Sequence, residues 1–196
     1  MASAFTQQEK SVIRLALTEA ARQCAATIGM RKTTVDQLAE SAGISKGAFY
    51  KFYETKEHLF FEVLEGWHTE VYDAAWRMWE SRPELPHPLR AAETILEACR
   101  VMEQNSMMDF FESDLSYLLR KIPAEDLQRH YHSDDVHIRE LVRRMGISLK
   151  QSPEIASATI RGLLLTLSYR KQIGESYPQV LKLMVTGACE QLVSMD

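Results

Sequence analysis

The feature that most limits the fold of this 196-residue chain is where its prolines stand. None of the six comes before residue 83, and three of them, Pro83, Pro86 and Pro88, crowd into residues 81–88. No helix continues there, because proline lacks an N–H and its ring clashes with the preceding turn. The other three stand where helices begin: Pro123 ahead of Ala-Glu-Asp, Pro153 after Ser152, and Pro178 at the head of the last segment. Between these marks apolar residues recur at steps of three and four. Ile13, Ala16, Leu17, Ala20, Ala21, Cys24 and Ile28 trace one face, and Gly29 closes it as a helix C-terminal glycine does. Period-two alternation is nowhere sustained. The sequence therefore predicts an all-α chain of about nine helices, near 7–28, 35–42, 46–52, 56–80, 89–104, 107–121, 124–145, 154–174 and 178–194. The polar run Arg129 to His137 is the place where the helix over 124–145 is open to interruption.

With 45% hydrophobic residues the chain can bury a sizeable core. Its longest apolar runs, such as Leu163-Leu164-Leu165, fall far short of the roughly 20 residues that span a bilayer, so no membrane partner is expected. The first ten residues have neither a basic start nor an apolar block, which points to the cytoplasm. Cys24, Cys99 and Cys189 lie far apart and read as reduced, buried thiols. A net charge of -4 excludes a protein that coats nucleic acid through bulk positive charge. Yet residues 1–60 hold eight Lys/Arg against six Asp/Glu, a local +2 that leaves -6 for the remainder. Any DNA contact has to be local and N-terminal.

Residues 33–58 contain three helix starts in quick succession. Thr34 followed by Gln37 is a capping-box pattern, which starts a helix at about Val35. Gly43 suits the left-handed stop, Ile44 the apolar contact just after it, and Ser45 a new cap. Val35, Leu38, Ala39, Ile44, Phe49 and Phe52 supply a small shared core, on which the first long helix must pack. That arrangement leaves Lys46, Gly47, Ala48, Tyr50 and Lys51 available to an outside partner. A lysine at a helix start, small residues that permit close backbone approach and a tyrosine hydroxyl make the composition of a major-groove reader. Thr55 caps the next helix, where Lys56 and free N–H groups form a phosphate clamp. The alternative is a capped turn inside an ordinary bundle with a solvated lysine face.

The run Thr33-Thr-Val-Asp-Gln-Leu-Ala-Glu-Ser-Ala-Gly-Ile-Ser-Lys-Gly-Ala-Phe-Tyr-Lys-Phe-Tyr-Glu-Thr-Lys-Glu-His-Leu-Phe60 closely resembles the DNA-binding domain of TetR-family transcriptional regulators. The resemblance covers roughly residues 8–62 at motif level, and the rest in length and all-helical layout. It implies a helix-turn-helix DNA-binding domain at 1–55 joined to a ligand-binding and dimerisation domain at 56–196. It implies too a homodimer on an inverted-repeat operator of double-stranded DNA, with Lys46, Gly47, Ala48, Tyr50 and Lys51 on the recognition helix and Thr33, Thr34 and Lys56 at phosphates. One departure stands out: where the family commonly carries His-Phe, this chain has Phe52-Tyr53, so a DNA contact from position 52 is not expected.

All three tryptophans fall within Trp67–Trp79, on a helix apolar over more than one face. A second cluster brings Met102, Met107, Met108, Phe110, Phe111, Leu115 and Tyr117 close in sequence. Core packing accounts for such residues. The other reading is a cavity for a flat apolar molecule, walled by rings and adaptable thioethers. The resemblance favours the cavity, with Trp67, Val71, Met102, Met107, Phe110, Phe111 and Tyr117 binding a small-molecule inducer. The acids Asp73, Glu103, Asp109 and Asp114 would admit a cationic aromatic ligand. The last two helices resemble the family's dimer interface, through Ile155, Thr159, Gly162, Leu163 and Thr166 on one and Met184, Gly187 and Ala188 on the other; an intramolecular hairpin is the alternative.

No phosphate loop, nucleophile elbow or His-Glu-x-x-His motif occurs, and no enzyme or cofactor is expected. His130, Asp134 and His137 would share a helix face, but a solvated polar segment explains them equally, so no metal is expected. The reading is a ligand-responsive repressor. The runner-up is a small-molecule-binding or catalytic helical bundle whose N-terminal turn is only structural.

Overall fold

The structure, a computed structural model, describes residues 5–104 and 107–195. Among them the chain is all-α as the sequence predicts, with two 3-10 turns and a single antiparallel bridge between Leu149 and Val193. It forms two compact units. The first runs up to His68 and takes in Asp109–Ile122; the second comprises Thr69–Met108 and the chain from Pro123 onward. The residues expected to bind DNA lie wholly within the first unit.

That first unit begins with α1 (Gln7–Thr27), whose start is a capping box that the sequence reading passed over. Thr6 Oγ1 accepts the Glu9 N–H at 3.2 Å while the Glu9 carboxylate accepts the Thr6 N–H at 2.7 Å. The bond from the Thr6 backbone, and then that from its hydroxyl, holds the Glu9 carboxyl below its usual range. Leu17, Ala20, Ala21 and Ala25 bury one face of the helix, and Gly29 at φ 80° ends it. In α2 (Val35–Ser41) the expected Thr34–Gln37 box is present, with Gln37 N–H on Thr34 Oγ1 at 3.2 Å and Thr34 N–H on Gln37 Oε1 at 2.8 Å. Gly43 at φ 67° makes the turn, and Ser45 Oγ accepts the Ala48 N–H at 3.2 Å to open α3 (Lys46–Phe49). Leu17, Met30, Leu38, Phe49, Leu59, Phe60 and Val63 are fully buried and make the core beneath. Burying such side chains is the main term that holds these helices together.

A long helix, α4 (Lys56–Ser81), is continuous from the first unit into the second. It is followed by α5 (His87–Gln104), α6 (Met107–Ser113), α7 (Leu115–Lys121), α8 (Ala124–Met145), α9 (Pro153–Thr166), α10 (Arg170–Ile173) and α11 (Tyr177–Leu192). In the second unit α5 lies along α11, α8 on α9, and α9 on α11. Pro123, Pro153 and Pro178 open α8, α9 and α11 as expected, and Ser152 Oγ accepts the Ile155 N–H at 3.3 Å.

Two expected helices are broken, and one that was open to interruption is not. The helix over 107–121 is divided at Asp114, whose side chain turns away to bond elsewhere. The helix over 154–174 stops at Thr166, where the hydroxyl donates back to the Leu163 carbonyl at 2.6 Å, a bond that bends helix ends. And α8 runs unbroken through the polar run 129–137, burying His130 as it does so.

Candidate nucleic-acid interface

Lys46, Gly47, Tyr50 and Lys51 are exposed together along α3 and the residues that close it. Tyr50, half open to solvent, is braced edge-on by the buried ring of Phe49 at 5.5 Å. Lys46 Nζ donates to Asp36 Oδ2 at 2.8 Å, and that bond and charge raise the lysine above its ordinary range, so it stays a cation. An exposed pair of this kind is weak and readily exchanged for a phosphate. Ala48, by contrast, is buried, since the N–H held by Ser45 turns its methyl toward the core. Its side chain supports the helix and does not face outward.

An open groove of about 400 Å³ is lined by Arg31, Lys32, Thr34, Tyr50, Thr55 and Lys56, and by Glu54 and Glu57 as well. Thr34 is exposed at the α2 cap, and Thr55 Oγ1 accepts the His58 N–H at 3.3 Å to start α4. Thr33 is buried, its hydroxyl donating to the Gly29 carbonyl at 2.8 Å. Lys56 is committed inward: Nζ donates to the carbonyl oxygens of Met30, Arg31 and Thr33 at 2.9, 3.2 and 2.6 Å. Of the eight expected DNA residues, Thr33 and Ala48 are buried, and Lys56 lines the groove while its ammonium is bonded to the carbonyls of the 29–33 turn. Arg31 and Lys32 are the members that sequence reasoning missed. Two adjacent cations just before the Thr33-Thr34 cap were the signal.

Phe52 packs at a tilt against the Phe5 ring, 5.7 Å between centroids, and the Lys51 ammonium lies 5.5 Å over the Phe5 ring. Tyr53 is buried with the Arg14 guanidinium 5.2 Å from its ring, and Arg14 bridges to Glu62 at 3.1 Å. Burial, reinforced by the Glu62 charge, pushes the Tyr53 hydroxyl up to about 12.

Among the expected ligand residues, Trp67, Phe110, Phe111 and Tyr117 fall in the first unit, and Val71, Met102 and Met107 in the second. Phe110 stacks on Phe60 at 6.2 Å and meets Trp67 edge-on at 5.2 Å, with all three rings buried. Met102 and Met107 are buried; Val71 and Tyr117 are half-buried. Asp73, Glu103 and Asp109 are exposed, but Asp114 is buried and bonded to Met30 and Arg31, so it does not serve a cationic ligand.

In α9 and α11, Ile155, Gly162 and Gly187 face outward, and Thr159, Met184 and Ala188 are half-buried. Leu163 is buried within its own unit, and Thr166 shares a hydrogen bond with the Tyr177 hydroxyl at 3.0 Å. The outward apolar residues that the sequence reading omitted are Leu165, Tyr169 and Leu183, the last 74% exposed. The side chain of Asp134 lies outside the described residues. Among those described, no three His, Cys, Asp or Glu side chains group as metal ligands, and no helix is long and apolar enough to cross a membrane.

A long α1 and two short helices, with a glycine turn between capped α2 and α3 and Arg31, Lys32, Lys46 and Lys51 exposed, define a helix-turn-helix domain followed by a helical bundle. Residues 17–63 match the family model described as bacterial regulatory proteins, tetR family. The helix-turn-helix segment is thus similar to the DNA-binding domain of TetR-family transcriptional regulators. It is 34% identical over 80 residues to the probable HTH-type transcriptional regulator ArpR of Pseudomonas putida, a match covering 41% of this chain and 38% of that protein. The matched segment therefore spans well under half of the curated relative. At the level of fold the likeness is chain-wide. The crystal structure of a tetR-family regulator from Shewanella sp. PV-4 aligns with a TM-score of 0.62 at 18% identity, over 93% of this chain and 98% of that one. RolR in complex with resorcinol aligns with a TM-score of 0.59 at 21% identity, over 95% of each chain.

Proposed function

We propose that the protein is a homodimeric repressor that grips an inverted-repeat operator and lets go when a small apolar or aromatic molecule binds. Lys46, Gly47, Tyr50 and Lys51 enter the major groove, and Thr34, Arg31 and Lys32 meet phosphates beside them, with Thr33, Ala48 and Lys56 as their support. The single observation that carries this reading is the exposed row Lys46, Gly47, Tyr50 and Lys51, whose Tyr50 also lines a groove with Arg31, Lys32 and the cap residues Thr34 and Thr55. The role is regulatory and not catalytic, and the place of action is the cytoplasm.

Dimerisation through α9 and α11 sets the two recognition helices about one DNA turn apart, roughly 34–36 Å, so that both enter successive major grooves. The inducer is assigned to Trp67, Val71, Met102, Met107, Phe110, Phe111 and Tyr117. A ring-rich site has a precedent of kind in the fold, since RolR holds resorcinol. Occupancy that displaces α4, which is unbroken from Lys56 to Ser81, would change the separation of the recognition helices and favour the unbound state.

Selection of bound duplexes from random DNA tests this first, and an inverted repeat is the expected product. On the selected duplex Tyr50→Ala and Lys51→Ala should each weaken binding at least about tenfold in fluorescence anisotropy, with helix content unchanged. Wild-type affinity for both variants sinks the assignment.

A further inference from the structure

Asp114 is a buried carboxylate that the function above does not use. Its side chain is 2% exposed, and a carboxylate withdrawn from water is costly unless donors surround it. Its donors therefore identify its task. Oδ2 accepts the backbone N–H of Met30 at 2.7 Å, and Oδ1 accepts Arg31 Nε at 3.1 Å. Asp114 stands where a residue would cap α7, yet its side chain gives that helix no capping bond. It is used instead on a turn 84 positions earlier. The turn is shaped to receive it: Gly29 has φ 80°, and a Cβ built there would lie 3.0 Å from Asp114 Oδ2. Only glycine lets the carboxylate come so near at that backbone angle. From the other side Lys56 Nζ binds the carbonyls of Met30, Arg31 and Thr33. The turn 29–33 is thus clamped by an anion at its N–H side and a cation at its carbonyl side. It leads directly into Thr34, the cap of α2, and it carries Arg31 and Lys32 into the groove.

We propose that Asp114 is a positioning residue for DNA binding: it fixes the 29–33 turn so that Arg31, Lys32 and Thr34 meet the phosphates, although Asp114 itself touches no DNA. This rests on the reading of α2 and α3 as a DNA interface. Asp114 and the turn lie in the same compact unit, although 84 positions separate Asp114 from Met30 in sequence. The interface therefore depends on a residue far outside the helix-turn-helix.

Asp114→Asn tests it, since the amide keeps the shape but sets an NH2 group against the donor of Met30 or Arg31. The Kd for the selected duplex should rise at least about tenfold with a shallower salt dependence, because phosphate contacts placed by the turn are lost. This is read on protein whose circular dichroism and titrated active fraction match wild type. A merely structural Asp114 would lower Tm and leave the Kd and the salt slope of the folded molecules unchanged; that result overturns the proposal. If Asp114→Asn does not fold, hydrogen exchange of the Met30 amide in the wild-type protein decides. Strong protection is expected, and exchange at open-chain rates overturns the clamp. Tyr50→Ala separates the two readings: if wild type binds no duplex, both fail; if Tyr50→Ala weakens binding and Asp114→Asn does not, only the clamp fails.

Discussion

Lys56 carries its charge into the protein, onto three carbonyl oxygens, and so acts as structure beneath the face it was expected to join. Tyr53 is a second residue whose surroundings set its behaviour. Burial and then Glu62 push its hydroxyl up to about 12, against an ordinary 10.0. The unfolded chain therefore releases this proton first, and the stability tied to the neutral phenol is complete below about pH 10 and lost as pH climbs through about 12. Tyr53→Phe removes that loss, so wild type should fall in stability relative to the variant between urea titrations at about pH 9 and about pH 11. A gap that stays constant with pH contradicts the assignment. The cysteines follow the same rule. Burial, helped by Glu103, raises the Cys99 thiol to about 12, and burial alone raises Cys189 to about 12. The thiolate is the nucleophile, so neither reacts readily near neutral pH. Iodoacetamide on the native protein should mark half-buried Cys24 first in a peptide mass map. Labelling of Cys99 at the same rate refutes the buried environment.

At the scale of the element, α2 is seven residues long, too short to persist without its ends satisfied. Thr34→Ala removes the capping box and should cost about 1 kcal/mol, seen as a Tm lower by a few degrees, while Thr34→Ser keeps the hydroxyl and should melt with the wild type. Equal melting of both variants means that the box contributes nothing. What was legible in the sequence follows the same local logic. Thr34, Gly43, Ser45, Ser152 and the prolines act within one turn of themselves, so spacing alone reveals them. The Thr6–Glu9 box was equally readable and was passed over. The burial of Ala48 follows from the cap that Ser45 places on its N–H, but the break at Asp114 does not, because its cause lies 84 positions away at Met30. The same holds for Thr33 and Lys56, whose residue types speak for a phosphate and whose partners in the 29–33 turn decide otherwise. The end of α9 at Thr166 likewise depends on Tyr177, a contact made only once the two segments have packed.

Across the whole molecule, an acidic excess beyond residue 60 stands against a local +2 over residues 1–60, carried at the proposed interface by Arg31, Lys32, Lys46 and Lys51. In the reading proposed above, negative charge elsewhere opposes loose attachment to DNA and leaves affinity dependent on a few aligned contacts, supplied by both subunits of the proposed dimer. The uncovered apolar residues of α9 and α11 bear on that proposal: Ile155, Leu165 and Leu183 are 51%, 44% and 74% exposed in the single chain. Apolar side chains gathered on two helices are what a partner surface offers, and the bare backbone at Gly162 and Gly187, with open space where a Cβ would stand, permits close approach. Leu183→Glu should therefore give a monomer by light scattering at micromolar concentration without loss of helix, since Leu183 packs little against its own chain. Such a monomer keeps one intact recognition helix, so its hold on a half-site survives. The second half-site is no longer held at high effective concentration, and affinity for the full operator should drop about a hundredfold or more. If Leu183→Glu remains dimeric and binds as wild type, the subunits meet elsewhere. If it is monomeric and binds undiminished, a single recognition helix suffices and the inverted repeat has no role.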